Sequence, residues 1–368
     1  MDNFDETNKE VSTFACTNCG ADLQYNPGTT ELKCQYCGTT NEIPESNVEI
    51  QELDFNKYLT ELADEEPQMT INVVKCEKCG ATSSLEPNIQ SASCPYCATP
   101  LIVNNAKEES IIKPSSLLPF KINKNEARSF FEKWVKSLWF APNQLKKAHL
   151  LLDKFKGIYL PFWTYDSNTA TNYLGQRGTY YYVNETYTTT ENGKSVTRTR
   201  QVRKVHWTTV SGHVTDVFDD VLIPASKSLP EKYVRELEPW DLPNLKPFEE
   251  SFLSGFISEK YQRNLKEGFE EAKIVMDNTI RQTIRRDIGG DEQRIINMNT
   301  SYSDITFKHI LLPVYVCAYN FKQKIYQFLV NARTGEVQGE RPWSWVKITL
   351  AVLAAAIVIG AIIYFANS

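Results

Sequence analysis

The sequence predicts an α+β protein in three parts: two small knuckle units at the N-terminus, a body of mixed antiparallel sheet and helix, and one C-terminal transmembrane helix. Three observations predict this. Eight of the nine cysteines fall in a repeat, C-x2-C-x14-C-x2-C, that occurs twice with an offset of 60 residues. Between about residues 158 and 330, runs of Thr, Tyr, Val and Ile alternating with polar residues lie beside amphipathic segments of helix length. Residues 348–366 form a stretch of 19 residues without a charge, close to the length of about 20 that a helix needs to cross a bilayer.

The first unit reads Cys16-Thr-Asn-Cys19-Gly20-Ala21 and Cys34-Gln-Tyr36-Cys37-Gly38-Thr39; the second reads Cys76-Glu-Lys-Cys79-Gly80-Ala81 and Cys94-Pro-Tyr96-Cys97-Ala98-Thr99. Two thiolates on one tight turn take two corners of a tetrahedron, and a second turn takes the other two. That is the closed, four-sulfur arrangement of a structural Zn2+ site. Glycine follows three of the four turns, where the backbone needs a positive φ, and Ala98 stands at the fourth. A disulfide framework belongs to secreted chains, and a redox pair is a single C-x-x-C beside a βαβ pattern. The expected metal ligands are Cys16, Cys19, Cys34 and Cys37 for one zinc ion and Cys76, Cys79, Cys94 and Cys97 for a second. They sit in rubredoxin-like zinc ribbons over residues 1–44 and 71–105.

Between the ribbons, residues 45–70 form an acidic linker: Glu45, Glu49, Glu52, Asp54, Glu61, Asp64, Glu65 and Glu66 against Lys57. Phe55, Tyr58, Leu59 and Leu62 give it weak helical spacing. The body covers residues 111–340. Asn125 reads as a helix N-cap, followed by Phe130, Phe131, Trp134, Val135 and Leu138 on one face. A second helix is expected over 144–155, started by Pro142 and ended by Gly157. Strands follow over 158–165, 169–175, 180–190, 195–210 and 212–219, with Glu191-Asn192-Gly193 as a hairpin turn. Apolar spacing over 247–286 predicts two helices or one kinked helix, stopped by Ile288-Gly289-Gly290-Asp291. Strands return over 295–299, 305–312, 314–321 and 325–330, and Ala332-Arg333-Thr334-Gly335 turns into 336–338. A body with its own core should stay folded when the ribbons lose metal.

The tail helix is expected over residues 347–366. Trp343 and Trp345 at its near edge and Tyr364 and Phe365 at its far edge resemble an aromatic belt, with Arg341 and Lys347 flanking it. The N-terminus, Met1-Asp-Asn-Phe-Asp-Glu, has neither the basic nor the apolar region of a signal peptide. The expectation is a single-pass, tail-anchored protein of the cell membrane with the bulk of the chain in the cytoplasm, a reducing compartment that suits thiolates.

No catalytic or cofactor-binding residue is assigned, and no enzyme is expected. Asn192-Gly193-Lys194-Ser195 ends like a Walker A loop, but Thr188 occupies its first glycine position, so a hairpin turn is expected. His149, His206, His213 and His309 are scattered, with His206 and His213 as a candidate pair across a turn. Cys317 reads as a small buried hydrophobe. Asp219 and Asp220 read as turn or cap residues before paired catalytic carboxylates. Asp287, Gly289, Gly290 and Asp291 read as a helix C-cap, with a ligand loop as the alternative.

Charge bears on partners. Residues 1–110 contain 19 acidic and 6 basic residues, a formal −13, and the other 258 residues carry +8. Nucleic-acid affinity rests mainly on neutralising phosphates, so the ribbon half has the wrong sign. Arg198, Arg200, Arg203 and Lys204 form a basic patch near Tyr180, Tyr181, Tyr182 and Trp207, which offers an alternative nucleic-acid or anionic-lipid contact; a solvated hairpin face also explains it.

The chain resembles a family of bacterial membrane-anchored proteins with TFIIB-type zinc ribbons, often labelled primosomal protein N′, a replication-restart helicase. The similar features are the C-x2-C ribbons, Gly157-Ile-Tyr-Leu-Pro-Phe-Trp163, Tyr173-Leu-Gly-Gln-Arg-Gly178, Phe218-Asp-Asp-Val221, Pro239-Trp-Asp-Leu242, Ile288-Gly-Gly-Asp291, Lys308-His-Ile-Leu-Leu-Pro313 and Thr334-Gly-Glu-Val-Gln-Gly-Glu-Arg-Pro342. The resemblance implies architecture, not mechanism: a helicase motor needs a phosphate-binding loop and two RecA-like domains, and the sequence contains neither pattern. The functional expectation is a non-enzymatic, membrane-tethered adaptor whose ribbons or acidic linker recruit a cytosolic protein. The alternatives are a nucleic-acid-associated membrane protein in replication or transcription, and an enzyme with an unrecognised site in the body.

Overall fold

The first cysteine unit folds as two turns joined through one small antiparallel sheet, whereas the two turns of the second unit belong to two separate small sheets. The computed structural model describes residues 14–46, 48–62, 68–84, 92–101, 107–142, 155–191, 193–321, 324–340 and 343–367. In the first unit, β1 (Leu23–Tyr25), β2 (Glu31–Cys34) and β3 (Thr40–Glu42) pair in that order. Alternation turns Leu23, Tyr25, Leu32 and Cys34 inward. The chain then forms β4 (Leu53–Asp54), α1 (Phe55–Lys57) and one turn of π-helix, Tyr58–Leu62. Asp54 caps α1 by accepting from the Lys57 amide at 2.8 Å. The second unit contains β5 (Gln68–Lys75), β6 (Thr82–Ser84), β7 (Ala92–Ser93), β8 (Pro100–Leu101) and β9 (Lys107–Ile112). Its strands pair as β6-β5-β9 and β7-β8.

After β10 (Ser116–Leu117), helix α2 spans Lys124–Ser137. Its N-cap is Asn123, not Asn125. The Asn123 side-chain oxygen accepts from the amides of Asn125 and Glu126 at 3.0 Å, and the Glu126 carboxylate accepts from the Asn123 backbone amide at 2.8 Å. Only Asn123 has a glutamate three residues on, and that capping box decides the start. The helix expected over 144–155 falls almost wholly outside the described residues; Phe155 itself opens a strand.

That strand, β11 (Phe155–Glu191), is 37 residues long and pairs antiparallel with β12 (Lys194–Pro224). After α3 (Glu231–Arg235), β13 (Lys246–Pro247) and β14 (Ile257–Ser258), helix α4 (Leu265–Ile288) leads to β15 (Glu292–Phe321), which flanks β11 on its other side. Two short strands, β16 (Lys324–Asn331) and β17 (Val337–Gly339), precede α5 (Trp345–Asn367). The central sheet runs β12-β11-β15-β10-β13.

Several expected strands are thus pieces of longer ones. Asp166, Ser167 and Asn168 fall between the expected strands 158–165 and 169–175, yet the chain passes them as a bulge, shifting register against both neighbours. The bulge has its own bonds: Asp166 accepts from the Asp220 amide at 2.6 Å, and the Asn168 side-chain amide donates to Asp304 at 2.9 Å. Asp220 and Asp304 take φ of 52° and 50°. The helix expected from 247 begins at Leu265, where Asn264 and Glu267 form a capping box. Residues 247–258 instead run along the first unit, and Phe256 stacks on Phe120 at 3.9 Å.

Helix α4 lays Phe269, Ala272, Met276, Ile280 and Ile284 against Trp163, Tyr165, Tyr173 and Val214, covering one face of the sheet. Gly289 and Gly290 (φ 64° and 77°) then reverse the chain. The Asp291 amide donates to the Gly178 carbonyl at 2.8 Å, and its carboxylate accepts from the Tyr180 amide at 2.7 Å. Strand β15 begins opposite Gly178. Beyond it the hairpin continues for thirteen residue pairs, Thr179–His206 to Glu191–Lys194, with no third strand paired to it among the described residues. At about 3.3 Å per residue this arm is about 40 Å long.

The cysteine units share the body's core. Tyr25 packs edge-on against Phe252 at 5.2 Å, its hydroxyl donates to the Thr29 carbonyl at 2.7 Å, and the Gly28 amide donates to the Phe120 carbonyl at 2.8 Å. Cys76, Cys94 and fully buried Tyr96 join a cluster with Ile158, Leu229, Val234 and Leu329. The acidic stretch is fastened too: β4 pairs with Thr306 and Phe307 in β15, and Phe55 and Tyr58 are buried under α4 and the sheet. Helix α5 differs. Its span, Trp345–Ala366, is 22 residues long and contains an 18-residue stretch of mean hydropathy 2.7, none of it buried.

A Cβ at Gly290 would lie 2.8 Å from the Gly178 carbonyl oxygen, at a φ that L residues avoid. Gly290→Ala should cost about 1–3 kcal/mol. Amide exchange at Asp291 and Tyr180, read by mass spectrometry, should accelerate while exchange in α2 is unchanged.

Candidate metal centres

In the first unit, Cys16 and Cys37 place their sulfurs 3.5 Å apart, as do Cys19 and Cys34. In the second, Cys76–Cys97 and Cys79–Cys94 stand at 3.6 and 3.5 Å. Within each group all four sulfurs lie within 4.8 Å of one another. A tetrahedron with metal–sulfur bonds of about 2.3 Å has edges of about 3.8 Å, so both sets fit one thiophilic ion. The structure brings together all eight cysteines in the two groups of four that their spacing predicts.

Backbone bonding shapes each turn identically. The amides of Gly20, Gly38, Gly80 and Ala98 donate to the carbonyls of Cys16, Cys34, Cys76 and Cys94 at 2.8–3.1 Å. Ala98 takes φ 57°, close to the 76° of its counterpart Gly38. Thr39 and Thr99 hold their hydroxyls 3.2 Å from the Cys37 and Cys97 sulfurs. The Thr39 hydroxyl and amide lower the Cys37 thiol to about 5, a direction that favours the thiolate a metal needs. Burial pushes the Cys94 thiol upward.

The two centres differ in exposure. Tyr36 and Tyr96 hold equivalent places in the repeat, yet Tyr36 is 85% exposed and Tyr96 is fully buried. Tyr96 packs beneath the second centre and faces Glu259. The Glu259 carboxylate accepts from the Ser228 hydroxyl and, at 3.0 Å, from the Gln262 side-chain amide. Burial raises this carboxyl to about 7.

The other candidates part company. His213 lies 2.9 Å from the Asn172 side-chain oxygen. His206 pairs with Thr179 further along the same strand, and its odd spacing from His213 puts the two on opposite faces. His149 lies outside the described residues. His309 is buried, and that burial lowers it to about 4 against the pull of the Ile112 carbonyl. Cys317 is buried in β15. Lys194 and Ser195 begin β12 directly after Gly193, with a strand where a phosphate loop needs a helix. Asp287 accepts from the Tyr173 hydroxyl, and with Asp291 closes the base of the arm.

Asp219 and Asp220 gain a partner that the sequence did not suggest, Asp166, with the three carboxylates within 4.8 Å. Lys308 sits among them, 2.7 Å from Asp220 and 2.8 Å from Glu52. Burial and the neighbouring Glu52 push Asp166 up to about 6. Lys308 bridges Glu52 and Asp220 and so staples the acidic stretch to the edge of the bulge. The basic patch also divides. Cross-strand pairing puts Arg198, Arg200 and Lys204 on one face of the arm and Arg203 on the other. Lys204 pairs with Glu185 at 2.9 Å, Arg200 lies over Tyr187 at 5.3 Å, and Arg203 over Tyr180 at 4.2 Å.

Among curated proteins, the chain is similar to the uncharacterised protein YdjG of Bacillus subtilis (strain 168). The two are 24% identical over 346 residues, covering 92% of each chain. No family model matches the sequence, and no solved structure matches it.

Elemental analysis of the full chain should give two metal ions per molecule. A colorimetric chelator should remove the ion of the exposed first centre before that of the second. Cys16→Ser should lose one ion and also lower the body's unfolding midpoint, because Tyr25 is part of the body's core. Glu259 supplies a separate test. Its raised value means that ionisation opposes folding, a penalty absent below the ordinary carboxylate range, growing as pH rises towards 7 and constant above it, on the order of 3 kcal/mol. Glu259→Gln should therefore gain stability over the parent between pH 5.5 and pH 8, measured by urea midpoints.

Proposed function

We propose that this protein is a non-enzymatic, zinc-binding adaptor that recruits a cytosolic protein, held at the cell membrane by α5 with the ribbons and body in the cytoplasm. The observation that carries this reading is the free-standing arm. A two-stranded ribbon is marginal in water, and open strand edges are templates for pairing with another chain. Tyr181, Tyr182 and Tyr187 are exposed along it, and tyrosine is a residue type enriched where proteins meet. The ribbons support the same reading at a second place. Between the first unit and the turn 248–251 lies an open groove of about 690 Å3, with Leu23, Leu32, Ile43 and Phe248 on its walls and Glu42 and Glu249 at its rim.

A protein partner suits the arm better than nucleic acid. Guanidinium groups already cover the Tyr180 and Tyr187 rings that would stack bases, Glu185 takes up Lys204, and the cations are split between faces. Zinc is the ion that fits four thiolates in a closed tetrahedron within a cytosolic chain.

Joining Tyr181 to Lys204 through an Asn-Gly turn removes the outer arm. This variant should keep its metal and its membrane association. It should lose the protein that a photo-crosslinker at Tyr187 captures in cells, with nuclease treatment making no difference. Unchanged partners after arm removal, or capture that nuclease abolishes, would count against the adaptor.

A further inference from the structure

We infer that the turn closing α2 is a second membrane contact, with Trp139 seated in the headgroup layer of the bilayer that α5 crosses. The inference rests on the reading of α5 as a membrane anchor. It begins with an indole that has no cover. Trp139 is 78% exposed, whereas Leu138 and Ala141 beside it are buried at 7% and 2%. The turn is therefore packed in place while its largest side chain is left outside.

That turn is also where α5 leaves the body. The Lys347 ammonium donates to the carbonyls of Trp139 at 3.4 Å and Ala141 at 2.8 Å. The Ser344 amide donates to the Phe140 carbonyl at 2.8 Å, and the Phe140 ring lies 6.4 Å from Trp343. Trp139, Trp343 and Trp345 thus collect around the first turn of α5, two of them from the tail and one from a distant part of the chain. An indole presents a broad apolar body and one N–H donor, a combination that favours the boundary between hydrocarbon and water. The Lys347 bonds set the turn that carries Trp139 beside the first turn of α5, where Trp345 enters a bilayer. Lys133 and Lys136 are exposed on the last turns of α2, which suits an anionic headgroup layer. The body is then held by two points, and it cannot swivel freely about α5.

The test uses the full chain, labelled with 5-fluorotryptophan, in nanodiscs of phosphatidylcholine and phosphatidylglycerol. Fluorine resonances are assigned by single Trp→Phe substitutions, and a lipid spin-labelled at the headgroup is added. The Trp139 and Trp345 signals should both broaden strongly, and those of buried Trp163 and Trp240 should not. Broadening of Trp345 with Trp139 as sharp as Trp163 would overturn this inference while leaving the anchor intact. If neither broadens, the anchor reading falls and this inference with it. A Trp139 signal that shifts only on adding cytosolic extract would assign the indole to a protein partner and likewise overturn it.

Discussion

From Phe162 to Gly178, β11 has a hydrogen-bonded strand on each side. Backbone groups buried in that ladder have no other partners to turn to, and everything else is laid against it. Helix α4 covers one face through a stripe of Phe269, Ala272, Met276 and Ile280. Strands β10, β13 and β14 extend the sheet at its other end, and the segment 53–58 closes over Phe307. Where β15 begins, the ladder loses one side and the arm starts. The Gly289–Gly290 reversal therefore sets two things at once: where the covered sheet stops, and where the exposed hairpin begins.

The cysteine units are built into the same arrangement. Each supplies a few inward side chains, such as Tyr25 and Tyr96, that fill space between body elements. An ion in either centre would fix the turns that aim those side chains. Metal occupancy and packing of the body are then coupled through contacts far apart in sequence, such as the Ser254 hydroxyl bonded to the Leu23 carbonyl. The acidic stretch joins by charge, with Lys308 held between Glu52 and Asp220.

The parts legible in the sequence are those with local causes. Cysteine spacing names all eight ligands because each turn is made by consecutive residues. The hairpin turn at Gly193, the stop at Gly289 and the apolar run of α5 are equally local. What was not legible depends on neighbours distant in the chain. Asp166 and Asn168 separate two expected strands until Asp220 and Asp304 come opposite and make a bulge of them. The spacing of Phe248, Phe252 and Phe256 looks helical, but the Phe252 ring packs on Tyr25 and the Phe256 ring on Phe120. Nothing in the composition of residues 45–70 says that Glu52 will meet Lys308. Trp139 sits at the end of an ordinary amphipathic helix, and only the course of α5 gives its exposure a meaning.

The unequal burial of Tyr36 and Tyr96 has a chemical consequence. Two copies of one motif stand in different surroundings, so their sulfurs meet oxidants on different terms. Accessible thiolates are oxidised first, and a sulfenic acid no longer serves as a metal ligand. The first centre offers peroxide two exposed sulfurs, Cys19 and Cys37, and the second centre one, Cys79. The repeat thus pairs a more open site with a more covered one, and the more open site is wired to the body through Tyr25.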